Sequence, residues 1–178
     1  MAEGRHYVVF TAVGPDRPGL VNEISSLLHS AGANLEDSRM AILGGEFALI
    51  LLLSASSEAS EAIKAAGARV EARLGLHCVL KETTTPAQPA DLQLYRIRVT
   101  GEDRPGIVQA IAGLLASHGI NLASLESRVS YAPLTGTPMF VLEADLQVPP
   151  HLDLATLRRD LAARCEAEGL DYSLDVRP

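Results

Sequence analysis

The sequence predicts an α+β chain, two βαββαβ units in tandem, each a four-stranded antiparallel sheet with both helices on one face. Three observations predict it. Residues Gly14–Leu35 and Gly101–Leu122 share 13 identities in 22 positions at an offset of 87, so one unit has been written twice. Each copy opens on a short β-branched segment and passes through a Pro-Gly turn into apolar residues at helical spacing. Between the copies, TTTPAQPAD has the Thr/Pro composition of a linker. The resulting division is a first domain over 5–83, a linker over 84–91 and a second domain over 92–177.

Element by element, HYVVFTAV and LYRIRVT are the opening strands. Leu20, Ile24, Leu27, Leu28 and Ala31 form the apolar face of the next helix, and Ile107, Ile111, Leu114, Leu115 and His118 that of its counterpart. Gly32 and Gly119 end these helices. RMAIL and FALILLLSA follow as strands joined at Gly44-Gly45, a tight hairpin; in the second copy the connection YAPLTGTP is longer. The offset is expected to grow to 89 after Leu122, matching Arg39 with Arg128. Second helices are expected over Glu58–Arg73 and Asp153–Glu168, and closing strands at LHCVLKE and YSLDVR. This order is the split-βαβ, ferredoxin-like arrangement.

Such a sheet leaves one face bare. In the second copy Phe140, Leu142, Ala144 and Leu146 alternate with Glu143, Asp145 and Gln147, so that face can be wet. In the first copy Phe47, Leu49, Leu51 and Leu53 alternate with Ala48, Ile50 and Leu52, so both faces are apolar. The second face is therefore expected to be covered, by the other copy or by another subunit.

Composition narrows the function. The 178-residue chain carries a formal net charge of −7, the wrong sign for direct binding to nucleic acid or an anionic membrane. No apolar stretch is long enough to span a bilayer, and MAEGRHYVVF lacks signal-peptide architecture, so a cytoplasmic location is expected. Cys78 and Cys165 are far apart and read as reduced thiols. His6, His29, His77, His118 and His151 have no metal-binding spacing, and no catalytic or dinucleotide motif is present. Neither an enzymatic role, a cofactor nor a metal is expected. Glu36, Asp37 and Glu126 read as strand-edge charges; Arg39 and Arg128 either pair across strands or reach an anion.

The repeated GxDRPG turn carries the chemistry. Asp16 and Asp103 suit a helix start, Pro18 and Pro105 a first helical turn, and Gly19 and Gly106 close chain packing. That much is structural. A helix N-terminus also offers free N–H groups to a small carboxylate, the aspartates can meet an ammonium group, and Asn34 and Asn121 can donate and accept. Together these are the donors and acceptors a free amino acid needs.

Strand, DRPG[LI], amphipathic helix and G-x-N-L, present once in each half, resemble the signature of ACT domains, small ferredoxin-like modules. The first copy's NLEDSRMAILGGEF is the more specific part. The resemblance implies an amino-acid ligand that sits between ACT domains, near the first loop of one and the asparagine that starts the second strand. On this sequence those positions are Gly14, Asp16, Gly19 and Asn34, and Gly101, Asp103, Gly106 and Asn121; some ACT sites carry a polar side chain where Gly14 and Gly101 stand. It further implies a homo-oligomeric regulator, without a catalytic domain, that responds to a small amino acid, glycine first, and silences glycine-cleavage genes by contacting a DNA-bound transcriptional activator protein. Two other readings are an amino-acid-responsive regulatory subunit of a metabolic enzyme, and a ligand-free ACT interaction module.

Overall fold

A computed structural model describes residues 6–84 and 91–177. The chain divides into two compact units, Met1–Ala87 and Gln88–Pro178. Apart from Thr84 and Asp91, the expected linker at 84–91 lies outside the described residues. The first unit runs β1 (His6–Pro15), α1 (Leu20–Ser30), β2 (Asn34–Leu43), β3 (Glu46–Ala55), a 3-10 turn (Ser57–Ala59), α2 (Ser60–Leu74) and β4 (His77–Thr83). The second runs β5 (Gln93–Glu102), α3 (Ile107–Ser117), β6 (Asn121–Tyr131), β7 (Pro138–Val148), α4 (Leu154–Ala167) and β8 (Leu170–Val176). Both sheets are antiparallel, in the orders β2-β3-β1-β4 and β6-β7-β5-β8. The βαββαβ expectation holds in both units.

Each core lies between the helices and one sheet face. In the first unit Val8, Phe10 and Ala12 of β1 and Phe47, Leu49, Leu51 and Leu53 of β3 meet Leu20, Ile24 and Leu28 of α1 and Ile63, Ala66 and Val70 of α2. In the second, Ile97, Val99, Leu142 and Leu146 meet Ile107, Ile111, Leu115, Leu157 and Leu161. Burying each of the larger side chains contributes about 1.5–3 kcal/mol.

The helix ends are specified locally. Gly32 and Gly119 sit one residue past the caps Ala31 and His118, at φ +83° and +69°. The amides after them, Ala33 and Ile120, return to the Leu28 and Leu115 carbonyls in a 6→1 closure. His118 also bonds Asp160 of α4 at 3.1 Å, tying one helix to the other. Asp153 caps α4 by accepting from the Ala155 amide.

Three local expectations need correction. First, β2 begins at Asn34, five residues before RMAIL, because it runs through a β-bulge between Leu35 and Asp37. Second, β6 carries a bulge at the same place, between Leu122 and Ser124, so the offset stays at 87. Arg39 therefore stands opposite Ile50, whereas Arg128 stands opposite Val141, and the two arginines are not equivalent. Third, α1 and α3 start at Leu20 and Ile107, so Pro18 and Pro105 belong to the turn before the helix.

Candidate functional site

Gly19 and Gly106 cap α1 and α3 at φ +95° and +97°, with no side-chain cap bond. The glycine is required for backbone conformation and not for close packing, since an added Cβ would meet open space at Gly106 and nothing nearer than 3.7 Å at Gly19. Asp16 and Asp103 do not cap their helices. Their amides anchor the loop, donating to the Gly45 and Pro138 carbonyls at 3.0 Å. Gly14 and Gly101 do serve close packing. A Cβ there would lie 2.9 Å from Leu76 Cδ2 and 2.5 Å from Leu170 Cδ2, and 3.2 Å from the Gly75 and Gly169 carbonyl oxygens. The bare backbone at these positions is a condition of closing the sheet.

The intervening arginines divide the copies. Arg17 turns onto its own helix and pairs with Glu23 at 2.7 Å, a hydrogen bond that holds the Glu23 carboxyl below its usual range. Arg104 instead reaches the end of α4, where it binds the Glu168 carboxylate and main-chain carbonyl. Beside it lies a cleft of about 330 Å³ lined by Gly106, Gln109, Gly113, Arg164 and Glu168.

The asparagines stand elsewhere. Gly14 is opposite Phe47 of β3 and Asn34 opposite Ser54, seven residues further along that strand, or about 23 Å. Gly101 and Asn121 are separated in the same way, opposite Phe140 and Gln147 of β7. Within either unit, therefore, the loop residues Gly14, Asp16 and Gly19 come together, as do Gly101, Asp103 and Gly106, but the asparagine does not join them.

Around Asn34 the structure gathers a group that sequence reasoning missed. The Glu36 carboxylate accepts from Asn34 Nδ2 at 2.9 Å and from Ser54 Oγ at 2.5 Å, and Ser54 is buried. The signal was the bulge, which breaks the alternation assumed for Glu36 and Asp37. In the second unit Ala123 replaces Glu36, and Asn121 Nδ2 donates to Gln147 Oε1 at 2.7 Å. Only the first copy places a carboxylate against its asparagine. Asn34 also borders an apolar cleft of about 340 Å³ between α1 and β2, lined by Val21, Ile24, Leu28, Leu35, Met40 and Leu51. At the corresponding site of the second unit, Ile120 and Leu125 stand where the first has Ala33 and Ser38.

The cysteines are free. Burial pushes the Cys78 thiol up to about 11 and raises that of Cys165 as well. Among the described residues no group of side chains has the arrangement of a metal site, and no helix is long and apolar enough to cross a membrane.

Fold and loop together define the class: a duplicated, small α+β domain with a glycine-started helix and an exposed edge strand. Residues 6–81 and 95–158 each match a family model described as ACT domain. The chain is 34% identical over 172 residues, 97% of its own length and 90% of the relative's, to the glycine cleavage system transcriptional repressor of Escherichia coli K12. A crystal structure of a protein from Galdieria sulphuraria superposes with a TM-score of 0.85 at 31% identity, covering 98% of this chain and 100% of that one. That of a putative glycine cleavage system transcriptional repressor does so with a TM-score of 0.75 at 26% identity, covering 97% and 98%. The chain belongs to the ACT-domain family, as a tandem, regulatory member of it.

Proposed function

We propose that this chain is a non-enzymatic sensor of a small amino acid, glycine first, that represses glycine-cleavage genes through contact with a DNA-bound activator. The observation that carries the reading is the end-to-end similarity to the E. coli repressor, 97% of this chain against 90% of that one. Two features of the chain support it. The helix-start loops present N–H groups without side-chain caps, suited to a carboxylate. A net charge of −7 favours a protein target over an operator. The loop and the asparagine lie at opposite ends of each sheet, so a ligand that uses both needs loop and asparagine from different ACT units. Glu36 beside Asn34 would then receive the ammonium group.

Calorimetric titration with glycine, then serine and alanine, tests the sensor. Heat that disappears in Asn34→Ala and Glu36→Gln upholds it. No heat, and no ligand-dependent rise in melting temperature at millimolar concentration, refutes it.

A further inference from the structure

The first sheet has a bare face, on the side away from α1 and α2. Register across the strands sets Asp37 and Lys81 at the two ends of one row on it, with Leu52 and Val9 between them. The next row is Arg39, Ile50, Thr11 and Val79, and a third brings Ala41 and Ala48 beside Val13. Val13, Ile50 and Val79 are each about half exposed. Thr11, the hydroxyl in their midst, donates to the Val79 carbonyl at 3.4 Å, so the centre of the face has its polar group satisfied. Charge is confined to the edges. On the β2 edge Asp37 and Arg39 pair with each other at 2.5 Å. On the β4 edge Lys81 has no ion pair among the described residues, because the neighbouring Glu82 points to the helix side, 3.9 Å from Lys64.

The size of the patch selects its occupant. Three inter-strand gaps of about 4.8 Å and about four residues of rise, side chains included, give roughly 300 Å². A stable two-fold dimer needs about 800 Å² from each partner, so this face is too small to hold a second copy. It is large enough for one helix, about 10 Å wide and, at about 15 residues, about 22 Å long. The opposite face of the same sheet already carries two, α1 and α2. We propose that the bare face of the first sheet is the docking surface for one amphipathic helix of the DNA-bound activator, apolar along one stripe and acidic on the flank that meets Lys81. This rests on the activator reading above and adds to it the surface and the kind of segment that fits there. The apolar stripe takes Ile50, Val79 and Val13 out of water, and the carboxylate beside Lys81 fixes which way round the helix lies.

The second sheet is unsuited to such a helix. Where the first has Val9, Ile50 and Val79, it has Arg96, Glu143 and Ser173. Arg96 is tied to Asp145 at 2.9 Å, and Glu143 lies 3.6 Å from Arg98. An apolar stripe laid there would strip water from these pairs and offer no new partner in its place. The docking surface therefore belongs to the first unit alone.

The test uses the full chain and the activator itself, bound to a fluorescein-labelled duplex that carries its operator and followed by anisotropy without glycine. The unsubstituted chain forms a complex. Ile50→Glu and Val79→Glu, which set a charge in the path of the apolar stripe, each weaken it at least about tenfold. Lys81→Glu, at an exposed edge position on which the core does not depend, weakens it at least about threefold, and more so at low salt. Ser173→Glu, at the place of Val79 in the second unit, stays within about twofold. A benzophenone carried on Ile50→Cys cross-links to the apolar stripe of a helix in the activator, located by mass spectrometry. A complex that Ile50→Glu and Val79→Glu leave intact overturns the proposal and keeps the activator as partner, and so does a cross-link that lands outside a helix. No complex with the unsubstituted chain removes the activator reading and this proposal with it. Self-association in sedimentation equilibrium that Ile50→Glu abolishes gives the face to a second copy and also overturns the proposal.

Discussion

The two sheets present opposite faces to their surroundings. On the face away from its helices the first unit carries Val9, Thr11 and Val13 of β1, Ala48, Ile50 and Leu52 of β3, and Val79 of β4. Val13, Ile50 and Val79 are each about half exposed there. At the same positions the second unit carries Arg96, Arg98 and Thr100, then Val141, Glu143 and Asp145, then Ser173. These charges are paired. Asp145 takes Arg96 at 2.9 Å, Arg177 at 2.7 Å and Ser124, while Glu143 lies 3.6 Å from Arg98 and 3.7 Å from Arg128. The expectation of a wet face in the second unit is right in its polarity, but its centre is roofed, with Asp145 only 8% exposed. The apolar face expected in the first unit is there, and among the described residues it is only half covered. One duplicated scaffold has kept its core and turned one bare face into an ion-pair lattice and the other into an apolar platform. Positions that close the scaffold should therefore respond alike in both units, and positions on the bare faces should not.

The largest effect is expected where the copies agree. Gly14→Val and Gly101→Val push a side chain into Leu76 and Leu170 and towards the backbone carbonyls behind them, and each should destabilise its own unit by about 3 kcal/mol. Thermal melts read together with limited proteolysis would show which unit opens. A strong effect in one unit and none in the other would break the equivalence of the scaffolds.

Asp145→Ala should come next, at about 2 kcal/mol, because it leaves Arg96 and Arg177 facing each other without their shared carboxylate; both are about half exposed, which limits the loss. Burial alone would raise the Asp145 pKa, but hydrogen bonds from Arg96 and Ser124 and the charges of Arg177 and Arg96 outweigh it and hold the carboxyl below its usual range. A carboxyl depressed on folding contributes stability above its unfolded pKa, about 3.9, and loses that contribution as pH falls through its lower folded value. Urea melts from pH 6 down to about pH 2 should therefore show the second unit weakening in acid, with Asp145→Asn flattening that slope. An unchanged slope in Asp145→Asn would remove this carboxylate from the lattice.

The order of elements was legible because it rests on local rules: β-branched runs, apolar residues at spacing four and seven, and glycine after a helix. What escaped depended on partners far away in sequence. The bulge at Glu36 is visible only against β3, and with it went the extent of β2, the equivalence of Arg39 with Arg128, and the contact of Glu36 with Asn34 and Ser54. The motif groups Gly14 and Asn34 as parts of one ligand site, and only strand direction shows that within a unit they stand at opposite ends of the sheet. The role of Gly14 was hidden for the same reason, since Leu76, which excludes a side chain there, lies at the far end of the unit.

The smallest effect is expected from a graft between the two faces. Ile50→Glu gives the first unit the residue that the second carries at the equivalent position, Glu143. Ile50 is 46% exposed and stands opposite Arg39 and Thr11, so the new carboxylate remains hydrated and has a cation across the strand. Stability by urea denaturation should change by no more than about 0.5 kcal/mol, the usual range for a surface position, while binding of a hydrophobic dye to the folded protein falls. If instead the graft destabilises by several times that amount in a concentration-dependent way, Ile50 is buried in an assembly. The apolar platform would then be an interface in its own right.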